Sequence, residues 1–150
     1  MVYWKNGVKN TLYSGFGETT SIDVENNIVY VAGKKGITGD PSTIKCFYSK
    51  NNEIITIDGI FSIKKIDVEK NNIYLCGQNR DFSLTPYFWK NGLKTNYPTQ
   101  FDINDISILN SNLFACGSDK LDKKLSVWIN ELVSYGATKT TANAICVVQK

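Results

Sequence analysis

Histidine is absent from the 150 residues, so no Ser-His-Asp triad, imidazole general base or histidine-containing zinc site can form. The four cysteines contain no C-x-x-C pair, which argues against structural zinc. No D-x-D-x-D-G calcium loop and no sialidase-type Ser-x-Asp-x-Gly-x-x-Trp turn is present. Gly33–Gly39 (GKKGITG) lacks the Lys-Ser/Thr of a phosphate-binding loop and reads as a surface loop. No cofactor and no metal is expected. No apolar run approaches the ~20 residues that span a bilayer. No basic segment followed by an apolar one opens the chain, so it reads without a secretory signal. Met1 runs directly into a strand pattern, as in a trimmed piece of a longer parent, which could be extracellular or periplasmic. Helical periodicity is also missing: Gly or Asn clusters interrupt every candidate window.

What the sequence does contain is ordinary globular apolar content, 42%, with many Tyr and Phe in short runs cut by Asn, Gly, Lys and Asp. Its net charge is +3, from 17 basic and 14 acidic residues. The lysines are scattered singly or in pairs, so no nucleic-acid partner is expected.

The runs repeat. Ile22–Gly33 (IDVENNIVYVAG), Ile66–Gly77 (IDVEKNNIYLCG) and Ile106–Gly117 (ISILNSNLFACG) align without a gap over twelve residues. A partial fourth copy is Ile145–Val148, and the leading Ile residues stand 44, 40 and 39 apart. Trp-Lys-Asn-Gly at Trp4–Gly7 recurs at Trp89–Gly92, with Phe47-Tyr48 and Val127-Trp128 at matching places. Each period therefore holds four short strands in ~40 residues, the signature of a β-propeller blade. Asn-Gly suits the type I′ turn between the third and fourth strands; Asn26-Asn27 and Asn71-Asn72 are expected to turn the first strand into the second. Cys76 and Cys116 fill the slot of Ala32, so they read as small buried residues; four free thiols are the favoured reading, with a Cys46–Cys146 bridge as the alternative.

The fold expected is all-β: a partial β-propeller of four-stranded antiparallel blades. Residues 1–15 supply the last two strands of one blade, three full blades span about 18–59, 60–99 and 101–138, and a further first-type strand lies at 142–149. On this count one second-type strand is missing, the chain reads as a piece of a longer propeller, and self-association through open edges is expected.

Tyr3–Gly7, Ile28–Gly33 and Tyr87–Gly92 resemble the YWKNG-type repeat of bacterial propeller proteins and, more loosely, tachylectin-type and WD-repeat blades. The resemblance implies the propeller architecture and, through the tachylectin type, sugars as one ligand class. No WD dipeptide closes the third strand.

The reading favours a non-enzymatic binding or scaffold module for a protein or glycan. The alternative is a glycan-active hydrolase with carboxylates drawn from Asp102, Asp105, Asp119 and Asp122. The recurring Trp residues are expected to pack between blades rather than ring a ligand. Loops joining second to third strands vary in length and content, and function gathers on such a face. Asn79, Arg80, Asp81, Phe82, Asp119, Lys120 and Asp122 are the expected contact residues there.

Overall fold

The computed structural model describes residues 1–79, 85–98, 100–130, 132–136 and 140–148. Their regular structure is entirely β. A two-stranded hairpin, β1 (Val2–Lys5) and β2 (Val8–Thr11), precedes three four-stranded antiparallel sheets. The first sheet holds β3 (Phe16–Glu25), β4 (Ile28–Ile37), β5 (Asp40–Lys50) and β6 (Glu53–Ile57). The second holds β7 (Ile60–Glu69), β8 (Asn72–Asn79), β9 (Pro86–Lys90) and β10 (Leu93–Asn96). The third holds β11 (Phe101–Leu109), β12 (Asn112–Asp119), β13 (Leu125–Ile129) and β14 (Leu132–Tyr135). Each sheet keeps its strands in chain order, the expected four-strand unit.

Local chemistry sets the hairpins. Asn6-Gly7, Asn26-Asn27, Asn51-Asn52, Asn91-Gly92 and Asn110-Ser111 all sit at positive φ, as type I′ turns require. In the second sheet the turn is Lys70-Asn71, at φ 52° and 63°, and not the expected Asn71-Asn72; Asn72 already pairs with Glu69. The turn asparagines also clamp. Asn91 Oδ1 accepts Ile73 N–H at 2.9 Å while its amide donates to Asn72 Oδ1 at 2.8 Å. Asn130 repeats both bonds with Leu113 and Asn112, at 2.9 and 3.1 Å. The Asn of Trp-Lys-Asn-Gly thus ties one turn of its sheet to the other.

Glycine closes each repeat for a related reason. Pairing of first and second strands slips at Thr20, Lys64 and Asn104, a bulge at the same place in each sheet, and the second sheet slips again at Phe61. There the first strand's carbonyl presses onto the glycine opposite. A Cβ on Gly33, Gly77 or Gly117 would collide with the backbone oxygen of Glu18, Ser62 or Asp102. The close approach lies within each sheet.

The sheets stack in chain order. Tyr30 and Ala32 of the first pack on Ile66, Val68, Leu75 and Trp89 of the second. Tyr74 and Cys76 of the second pack on Ile106, Ile108, Ala115 and Trp128 of the third. Trp89 meets the Tyr48 ring at 5.8 Å, and Trp128 meets Phe101 edge-on at 5.2 Å. Trp4, the third member of the Trp set, is exposed. Cys46, Cys76 and Cys116 are buried, Cys146 is exposed, and all four are free.

Two segments depart from expectation. Gly33–Gly39 is not a loose surface loop: β4 runs through it to Ile37 and turns at Thr38-Gly39 into β5. A further first-type strand is expected at 142–149, but over its described residues, 142–148, the chain forms no ladder. Ile145 nevertheless donates its N–H to Asp105 Oδ2 at 2.9 Å, and Asn104 Nδ2 donates to the Ala142 carbonyl.

Candidate functional site

The acidic residues of the first strands bind backbone amides of the next sheet. Asp23 Oδ2 accepts Val68 N–H at 2.6 Å, and Asp67 Oδ2 accepts Ile108 N–H at 2.9 Å. Glu25 accepts the N–H groups of Lys70 and Asn71, and Glu69 those of Asn110 and Ser111. Ser21 Oγ accepts Ile66 N–H at 3.2 Å. First strands lie at sheet edges, where half their amides have no ladder partner. Carboxylates reaching across supply the missing acceptors, and a charged acceptor makes a stronger bond than a neutral one.

The carboxylates named for catalysis are bound in similar ways. Asp105 is buried, accepting Ile106 N–H at 3.0 Å and Ile145 N–H, with Lys65 Nζ 3.7 Å away. Asp102 Oδ1 accepts from Gln78 Nε2 at 3.2 Å and lies 3.7 Å from Lys120 Nζ. Asp119 Oδ1 accepts Leu121 and Asp122 N–H at 2.7 and 3.0 Å, an Asx-type turn. Asp122 pairs with Lys124 at 2.9 Å on the exposed surface. These oxygens organise backbone and neighbouring cations.

The described contact residues expected from sequence, Asn79, Asp119, Lys120 and Asp122, fall at the ends of the second and third sheets. Asn79 is buried; its amide donates to Asn96 Oδ1 at 2.8 Å and its oxygen accepts Lys94 Nζ at 2.9 Å. It serves to join β8 to β10. Lys120, Asp119 and Asp122 stand together on the β12–β13 connection. Arg80, Asp81 and Phe82 lie outside the described residues.

The same end of the first sheet carries a groove that sequence reasoning missed. Phe16, Gly17, Glu18, Lys34, Lys35 and Ile44 line about 200 Å³. A smaller adjoining hollow of about 130 Å³ adds Ile37 and Pro41. Phe16 and Ile37 are more than half exposed. Lys34 pairs with Glu18 at 3.0 Å and stands over the Phe61 ring, and Lys35 stands over Tyr13. The groove is an apolar floor with Lys34, Lys35 and Glu18 at its rim, built where β3 and β5 flank the far end of β4. The signal available was apolar Ile37 and Ile44 on either side of the Thr38-Gly39 turn, which the glycines disguised.

A second concavity, about 470 Å³, lies between the second and third sheets at the tight-turn end. Phe88 and Tyr97 face it together with the polar side chains of Asn96, Ser111 and Asn130. Tyr97 Oη donates to the Asn130 carbonyl at 3.4 Å, bridging the two sheets. Among the described residues no group of three or more acidic or cysteine side chains is placed to hold a metal ion. No helix there is long and apolar enough to cross a membrane. No protein-family model matches the chain, and no curated protein matches it.

Proposed function

We propose that the three stacked sheets are blades of a β-propeller and that the chain is a non-enzymatic binding module for a protein ligand. The observation that carries this reading is the Phe16–Ile37–Ile44 groove rimmed by Lys34 and Lys35. An exposed apolar floor on a rigid hairpin suits a peptide side chain, and the lysines favour an acidic neighbour to it. The groove lies at the β4–β5 connection, and Asp119, Lys120 and Asp122 stand on the corresponding β12–β13 connection of the third sheet. Such connections on a repeat scaffold are where recognition concentrates.

A glycan is the second reading, favoured by the cleft where Phe88 and Tyr97 meet three hydrogen-bonding side chains. Aromatic faces with nearby amides suit sugar rings. Selection from an acidic-peptide library, run beside a glycan array, separates the two. Peptide binding lost in Ile37→Asp supports the groove; glycan binding lost in Tyr97→Ala supports the cleft. Hydrolysis of the array sugars without stable binding would instead favour a propeller-fold hydrolase.

A further inference from the structure

The chain covers one kind of surface twice and leaves a third copy open. In the second sheet Ile66 and Val68 are 0% and 8% exposed beneath Tyr30 and Ala32. The matching residues of the first sheet, Ile22 and Val24, are 48% and 56% exposed. Covered copies also receive side-chain acceptors: Ser21 on Ile66 N–H, Asp23 on Val68 N–H, and Glu25 on the next turn. Among the described residues no side chain from another sheet reaches the amides of Ile22, Asn26 or Asn27. Val24 N–H is met by its own neighbour, Asp23, at 2.8 Å.

The β1–β2 hairpin covers only part of this face. Tyr3 Oη donates to Asn52 Oδ1 and Lys5 Nζ to the Asn27 carbonyl, both at 2.8 Å, and Val29 and Val31 are buried. β1 pairs with β2 alone, so its other edge is unpaired. In every complete sheet the strand matching β1 is flanked on that side by a first-and-second-strand hairpin.

We propose that Ile22, Val24 and the free edge of β1 form a docking seat for a β-hairpin of this chain's own repeat chemistry. The occupant has apolar residues facing Ile22 and Val24, and carboxylates at two alternate positions of its first strand. Those carboxylates meet the Val24, Asn26 and Asn27 amides as Asp23 and Glu25 meet those of Val68, Lys70 and Asn71. Its second strand pairs with β1. The warrant is internal: the same seat is filled twice in this chain, by Asp23 then Glu25 at one junction and by Asp67 then Glu69 at the next.

A synthetic peptide copying residues 63–78, with Cys76 replaced by Ala, tests the seat against the whole chain. Trp4 is the exposed indole and lies on β1, so its emission should shift to the blue on saturable binding, and Trp4→Phe should abolish the shift. Peptides carrying Asp67→Ala or Glu69→Ala should bind about tenfold more weakly each, since each loses charge-assisted bonds. Val24→Glu in the protein, a substitution at an exposed site, should remove binding while leaving the circular-dichroism spectrum unchanged. Absence of binding, or equal binding by the peptide lacking both carboxylates, would overturn the proposal. A dimer in light scattering that Val24→Glu converts to monomer would also overturn it, by assigning the seat to a second copy.

Discussion

Asp67 Oδ2 accepts the backbone N–H of Ile108 at 2.9 Å, so a carboxyl of the second sheet holds the third. Burial, chiefly, pushes this carboxyl up from 3.8 to about 6; Asp23 adds to the rise, while the Ile108 bond, Lys65 and the Val68 amide oppose it. A folded-state value above the unfolded one means the folded chain binds more protons between the two. Its contribution to stability is full below about pH 4 and is lost as pH rises through about 6. Calorimetry should therefore show Asp67 lowering the melting temperature across that interval. Asp67→Asn should flatten the slope; an unchanged slope in the variant would count against this assignment.

Glu69 holds the Asn110 and Ser111 amides, and Glu25 holds those of Lys70 and Asn71. Both sites are near solvent, so Glu69→Ala and Glu25→Ala should each cost about 1 kcal/mol. Urea unfolding should show a lower midpoint with an unchanged slope.

Glycine substitutions should divide by mechanism. Gly117→Ala drives a methyl into the Asp102 backbone oxygen, and Gly77→Ala into that of Ser62. Neither oxygen can rotate away, so each substitution should cost more than about 3 kcal/mol. Gly92 has φ 100° with nothing within 4 Å of an added Cβ, so Gly92→Ala should cost only the backbone strain, about 1–2 kcal/mol.

The thiols offer a direct count. Burial pushes Cys76 up to about 12 and Cys116 to about 11, and Cys46 is also buried. Only Cys146 should react rapidly with a thiol-specific reagent in the native protein, with the other three following on unfolding. Three fast thiols would show that the stacked sheets are open.

The strands were legible because their signals are local. Alternating apolar residues, Asn at tight turns and a repeat with no gaps all operate within a few neighbours. What escaped depends on partners far along the chain. Asp67 and Glu69 recur at the places of Asp23 and Glu25, yet their bonds land 41 and 42 residues later. The turn falls at Lys70-Asn71, one residue before Asn71-Asn72, because Lys70 can take positive φ once Glu25 holds its amide. Gly33, Gly36 and Gly39 made an extended hairpin look like a loop, since ladder pairing with β5 overrides their weak strand preference. The groove on that hairpin was hidden for the same reason. The small size of Cys76 and Cys116 was readable from Ala32, because one buried slot is filled three times.

The carboxylates that accept backbone amides between sheets reach from each sheet to the one after it. Such a chain melts like a row of coupled units, each stabilised by its own hairpins and by its immediate neighbours. The second sheet is the one with a complete sheet on both sides, and its buried strands should define the slowest amide hydrogen exchange. The β1–β2 hairpin, held to its neighbour by Tyr3 and Lys5, should open first. Anything that caps the first sheet would then slow exchange most at that end and progressively less with each sheet beyond.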